Sequence, residues 1–194
     1  MPQREEPAIK TIVHPLEPLY REDSKILILG SFPSVKTREY GFFYGHPYNR
    51  FWPLMEALFN ESVPNTIEGR RDFLLRHKIA MYDSIYQCDI VGSSDASIRN
   101  VIPSDLKKIF ATANIRQVFC NGATSYRYYQ KYHEKESRIR GVKLPSTSPA
   151  NARYSMENLL EEWKKIRRSI SVSYTHLTLP TILRSCRSRW SPYH

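Results

Sequence analysis

Hydrophobic residues fall along this chain in short solid runs separated by stretches of helical periodicity. "KILILGSF" (25–32) is an apolar run closed by Gly and Pro, the pattern of a strand buried on both faces. "KIAMYD" (78–83), "RQVFCNG" (116–122) and "RIRGVKLPST" (138–147) read as three more strands. Between them the period changes to 3.6. Phe51, Trp52, Met55, Leu58 and Phe59 predict a helix over 49–59, with Pro53 in its first turn, where a missing N–H costs little. Thr66–His77, Pro103–Ala113 and 121–133 read as further helices, with "GSSDASI" as a loop. A long amphipathic helix over 148–168 buries Tyr154, Leu159, Leu160, Trp163 and Ile166.

Four strands alternating with helices predict an α/β domain, a parallel sheet covered on both faces. Binding sites of such sheets lie at the carboxyl ends of the strands, where loops feed the helices. Two of those loops are unusual here: "GSFPSVKTREYGFFYGHPYNRFW" after the first strand and "LPSTSPANAR" after the fourth.

The chain has 194 residues, of which 41% are hydrophobic and 25% charged, a composition for one globular domain with a core of its own. Its longest apolar run, "ILIL" at 26–29, is too short to span a bilayer, and the charged, Pro-rich opening "MPQREEPAIK" does not read as an export signal. Residues 1–24 read as a polar lead-in and 25–171 as the domain.

The end of the chain has a different origin in this reading. "VSYTHLTLPT" is one reading frame of a transposon-end sequencing adapter, and "CRSRWSPYH" reads as the far arm of the same adapter, with Ile182–Ser185 where an index would sit. Residues 172–194 are therefore set aside as a non-native tail. That removes Arg184, Arg187 and Arg189 and no acid, so a formal charge of +10 falls to +7. The body remains basic, which suits a polyanionic partner. Only Cys88 and Cys120 remain, which fits a reducing compartment and excludes a four-cysteine metal or iron–sulfur site built from this chain.

In "LPSTSPANAR", the hydroxyls of Ser146, Thr147 and Ser148 sit between two prolines just ahead of a helix. Hydroxyls with free helix N–H groups make an anion site, and Ser148 or Asn151 can equally serve as plain N-caps. In the first loop, Gly30 allows a tight turn and close approach of a ligand to the backbone. His46 and Asn49, held by Pro47, can face one cavity, with Phe42, Phe43 and Tyr44 as a flat apolar wall. Phe51 and Trp52 belong to the helix core.

"GSFPS", "YGHPYNRFW" and "LPSTSPANA" together resemble the uracil-DNA glycosylase superfamily, above all its hypoxanthine-DNA glycosylase branch. "HPYNRFW" also resembles a segment of the mismatch-specific uracil/thymine-DNA glycosylases. The similarity runs from about Lys25 to Trp163. It implies a three-layer α/β/α sandwich with a central four-stranded parallel sheet. It also implies a monofunctional enzyme that flips a deaminated base, hypoxanthine or uracil, out of DNA and hydrolyses its N-glycosidic bond. The chemistry needs donors facing the departing base, a placed water and a stacking surface, and neither metal nor cofactor.

On this resemblance Asn49 is the catalytic residue. Gly30, Ser31, Phe32, Pro33, Ser34, Phe43, Tyr44 and His46 form the base pocket. Ser146, Thr147, Ser148, Pro149, Asn151 and Arg153 meet DNA and include the residue wedged into the duplex. The implied enzyme is a monomer acting on cytoplasmic, nucleoid-associated DNA. Several branches place a water-activating Asp or Asn where this chain has Phe32, which cannot do that work. In the hypoxanthine branch the role goes with the Asn of the "HPxN" segment, hence Asn49, an uncharged group that orients water but is a poor base. Asp83, at the end of the second strand, is an alternative carboxylate. The departure at Phe32 leaves room for a non-catalytic DNA-binding relative. A serine hydrolase is disfavoured because no "GxSxG" elbow appears.

Overall fold

A computed structural model describes residues 8–172; the tail 173–194 lies outside the described residues. Among the described residues, seven strands form two sheets. β2 (Ile26–Gly30), β3 (Ile79–Asp83), β6 (Gln117–Asn121) and β7 (Gly141–Leu144) make a parallel sheet in the order β3-β2-β6-β7. β2 and β3 are buried at every position, which is why their sequences are solid apolar runs rather than alternating ones. The four strands expected from the sequence are these four.

The helices cover both faces. α1 (Val35–Tyr40), α2 (Phe51–Phe59) and α3 (Ile67–Arg76) connect β2 to β3, and α5 (Ala123–Tyr132) with the short α6 (Glu134–Ser137) connects β6 to β7. Right-handed crossovers running in opposite directions along the sheet put α2–α3 on one face and α5 on the other. α7 (Met156–Ser171) packs beside α2. The result is the three-layer α/β/α sandwich. Leu159, Trp163 and Ile166 are fully buried on α7, as the periodicity predicts. Tyr154 is not: it lies before the helix and is 38% exposed.

The second sheet departs from the expectation. β1 (Lys10–Val13), β4 (Ile85–Ile90) and β5 (Arg99–Pro103) pair antiparallel in the order β1-β4-β5. The lead-in from Lys10 onward is thus part of the packed fold, and the helix expected from Pro103 begins only at α4 (Lys107–Thr112). β3 and β4 are separated by Ser84 alone, where the chain leaves one sheet for the other. The buried Ser84 N–H still bonds to Gly30 O at 2.8 Å, while its carbonyl accepts from Ser104 N at 3.1 Å. A small second core of Phe32, Ile85, Cys88, Ile90, Ile98 and Tyr128 lies under this sheet.

Cys88 and Cys120 are both free and buried. Burial pushes their thiols up to about 11 and about 12 respectively, so neither is a thiolate at neutral pH. Among the described residues no group of three or more His, Cys, Asp and Glu could hold a metal ion, and no helix is long and apolar enough to cross a membrane.

Candidate active site

The carboxyl ends of β2, β3, β6 and β7 open into one cleft of about 1160 Å³. Every residue assigned to the site from the sequence lines it: Gly30 to Ser34, Phe43, Tyr44, His46 and Asn49 on one wall, Ser146 to Pro149, Asn151 and Arg153 on the other. The two motifs are separated by about a hundred residues of chain. They are joined by a short hydrogen-bond network rooted in α2.

Asn49 precedes α2, and its Oδ1 accepts from Phe51 N at 2.9 Å, closing the helix start. The same oxygen accepts from Thr147 Oγ1 at 2.9 Å. Thr147 in turn accepts from Asn121 Nδ2 and donates its backbone N–H to Asn121 Oδ1, both at 3.0 Å. The donors on both sides fix the amide's orientation, because a flipped Asn49 would set its NH2 against the Phe51 N–H. The Asn49 oxygen is therefore committed to the protein, while Nδ2 makes no hydrogen bond among the described residues and carries the two free donors of the group.

Arg50 binds the walls together. Its backbone N–H donates to Thr147 O at 3.1 Å. Its guanidinium donates to Ser148 O at 3.3 Å, Asn151 O at 2.8 Å and Tyr154 O. One side chain thus takes three carbonyls of the opposite loop, donating from both terminal nitrogens of its planar guanidinium.

The second loop differs from its expected form. α7 starts at Met156 with Ser155 as N-cap, accepting from Asn158 N at 3.2 Å, so neither Ser148 nor Asn151 caps it and the loop hydroxyls do not adjoin its free N–H groups. Ser146 Oγ and Ser148 Oγ instead accept from Ser148 N and Ala150 N, two residues on in each case. Thr147 is fully buried. It holds the loop from inside, a correction to its expected contact with DNA. Asn151 donates to Ser146 O at 2.9 Å, Pro149 and Arg153 are exposed, and Trp163 Nε1 anchors the loop through Pro145 O at 2.9 Å.

On the first wall, His46 Nδ1 accepts from Tyr48 N at 3.1 Å, and His46 O accepts from Asn49 N at 3.0 Å. Ser31 donates to both carboxylate oxygens of Asp95, and Ser34 caps the six-residue α1. Phe32 turns into the second core, edge-on to His14 at 5.8 Å between centroids. Phe43 is 2% exposed, and Tyr44 has one ring face stacked on Phe51 at 4.2 Å. Tyr44 adopts φ 53°, a left-handed conformation uncommon for an aromatic residue. Its hydroxyl is buried, with the Asn121 amide as its polar neighbour. Burial, followed by the nearby Asp83 charge, pushes that hydroxyl well above the ordinary phenol range, so it stays protonated.

Of two further polar residues of the cleft, the sequence reading left out Asn121 and named Asp83 only as an alternative carboxylate. Asn121 ends β6, and the following Gly122, at φ 99°, turns the chain into α5 beside Ser146. Asp83 ends β3, and its Oδ2 accepts from His14 Nε2 at 2.6 Å. A lone His before a Pro in a polar stretch gave no sign of a partner 69 residues away.

A family model described as the uracil DNA glycosylase superfamily matches residues 17–168. The chain is 30% identical over 154 residues to a hypoxanthine DNA glycosylase of Methanosarcina acetivorans, covering 76% of this chain and 92% of the relative. A hypoxanthine DNA glycosylase of Methanosarcina barkeri is also 30% identical over 154 residues, covering 75% and 92%. Among solved structures, the solution NMR structure of a candidate uracil DNA glycosylase from Methanosarcina acetivorans superposes with a TM-score of 0.71 at 26% identity, covering 84% of this chain and 99% of that one.

Proposed function

Since the chain belongs to the uracil DNA glycosylase superfamily, we propose that its cleft takes a deaminated base, hypoxanthine or uracil, flipped out of DNA and releases it by hydrolysis. The protein is a DNA glycosylase; the proposal concerns its base and the residues that act. The observation that carries it is Asn49, whose oxygen is locked by Phe51 N–H and Thr147 while its NH2 stays free at the cleft. As an N-glycosidic bond breaks, negative charge gathers on the base and positive charge on the sugar. A fixed amide donor facing the base meets that charge without reorganising. A water held in the same cleft attacks the sugar, and no group here is a strong base, so the expected turnover is modest.

Tyr44, backed by the buried Phe43, supplies the aromatic wall. Stacking of a flipped base on such a wall contributes about 1–3 kcal/mol. Lys143 and Arg153, exposed at the rim, meet phosphates and fix register without reading sequence. Arg153→Ala is expected to weaken DNA binding uniformly across sequences and to lower the slope of log affinity against log salt by about one, measured by fluorescence anisotropy over a salt series.

The non-catalytic reading suggested by Phe32 gives way, because the curated relatives carry the name of an active glycosylase. The same proposal has the enzyme work as a monomer on cytoplasmic, nucleoid DNA. Duplexes with a single deoxyinosine or deoxyuridine, opposite each partner base in turn, test it by the appearance of abasic sites. Bound duplex without abasic sites on any of them would refute the proposal.

A further inference from the structure

Flipping a base leaves a gap in the duplex, and the base falls back unless something occupies that space. A group suited to the task is flat or apolar, already exposed, stiffly mounted and beside the pocket that takes the base. The resemblance places this wedge in the second loop, and the structure offers little there to serve. Thr147 is buried, and the Ser146 and Ser148 hydroxyls accept from N–H groups of their own loop. The exposed apolar groups of that loop are Pro149, Ala150 and Ala152, all far smaller than a purine.

The first loop offers a ring. Among the described residues, the large exposed hydrophobic side chains lie on or beside the second sheet, at the end of α7, or on the lips of the cleft. The lips carry two. Tyr154 is part of the cleft wall. Tyr48 does not line the cleft; it is 78% exposed, in the turn between His46 and Asn49, which both do.

We propose that Tyr48 is the wedge: its ring enters the base stack as the damaged nucleotide leaves and holds the gap from the side of the first loop. This rests on the glycosylase reading and adds the group that keeps the flipped state from reverting.

The mount is stiff. Pro47 fixes the backbone ahead of Tyr48. The Tyr48 N–H donates to His46 Nδ1 at 3.1 Å, and the Asn49 N–H donates to His46 O at 3.0 Å. Two residues on, Arg50 ties the same turn to the opposite loop. The backbone is held on both sides, while the Tyr48 ring meets one other ring, that of His46, tilted at 5.8 Å between centroids. A tyrosine has two χ angles to fix, so insertion orders little. Every base has a π-face, so the ring can stack on whichever pair flanks the gap, which suits a lesion that arises in any sequence. Tyr48 also precedes Asn49 directly. The group that opens the stack and the group that faces the departing base are then neighbours on one turn.

The test uses the full chain and fluorescence anisotropy on two duplexes of one sequence. One is undamaged; the other carries a tetrahydrofuran abasic analogue, whose gap needs no base to leave it. Wild type is expected to prefer the abasic duplex by about tenfold or more, the scale of one stacking contact. Tyr48→Ala should lose most of that preference. Its affinity for the undamaged duplex should stay within about twofold of wild type and its melting temperature should be unchanged, because the side chain is exposed. Tyr48→Phe should keep the preference, since the ring and not the hydroxyl fills the gap. In single-turnover assays Tyr48→Ala should release hypoxanthine opposite cytosine about tenfold more slowly than wild type, and Tyr48→Phe should not.

A Tyr48→Ala protein that keeps the abasic preference overturns the proposal, and so does a wild type that has none. Equal losses on both duplexes overturn it as well, because Tyr48 would then be a general DNA contact. A Tyr48→Phe protein as impaired as Tyr48→Ala would assign the effect to the hydroxyl and end the stacking role. Wild type that releases no base from any duplex sinks the substrate reading instead; the abasic titration, with no base to release, still decides the role of Tyr48.

Discussion

Asn49→Ala is expected to slow base release by about 10²- to 10³-fold in single-turnover assays on deoxyinosine duplexes, the usual effect of removing a donor aimed at developing charge. Alanine also removes the acceptor for Phe51 N–H and Thr147 Oγ1, contacts at 2.9 Å each. Each hydrogen bond lost with that acceptor costs about 1 kcal/mol, so part of any loss reflects a loosened loop. Asn49→Asp separates the two effects. Aspartate keeps both acceptor contacts and places negative charge at the N-terminus of α2, where the helix dipole favours it. Its stability should equal or exceed that of wild type, yet its base release should be as slow as that of the alanine variant, because the NH2 donors are gone. Base release by Asn49→Asp well above that of Asn49→Ala would show that the residue works by accepting from water, and the donor role would be lost.

Trp163→Ala carries the largest expected cost in stability, about 3–5 kcal/mol, as befits a large side chain removed from a packed interior. Trp163 is fully buried on α7, edge-on to Phe51 at 6.0 Å, and its Nε1 donates to Pro145 O at 2.9 Å. One residue thus supports the core and the second loop together. Trp163→Phe keeps most of the volume and gives up that hydrogen bond, a loss of about 1 kcal/mol. Urea midpoints should rank wild type, phenylalanine, alanine in descending order. Base release by the phenylalanine variant should fall more than its stability, because Pro145 opens the loop that carries Ser146 and Thr147. An alanine variant with an unchanged midpoint would contradict the packing described here.

The parallel sheet could be read from the sequence because its central strands are buried on both faces: "ILILG" and "IAMYD" are buried at every position and carry a charged residue only at the last, Asp83. The three-stranded sheet could not. Its strands are half exposed, and β4 follows β3 after a single Ser84, so one continuous stretch conceals a change of sheet. The two loops announced the site through their composition, and all their chosen residues line the cleft. What stayed hidden were the partnerships. Arg50 was given no role, Thr147 was assigned to DNA contact, and His14 fell within the polar lead-in. Each is defined by a group between 69 and 104 positions away, which no local pattern encodes.

The grip of Arg50 on three carbonyls of the facing loop has a kinetic meaning. On the proposed reading, walls tied together in this way leave the work of distortion to the DNA rather than to closure of the protein, and a base in a weakly stacked or poorly matched pair is the one most readily taken.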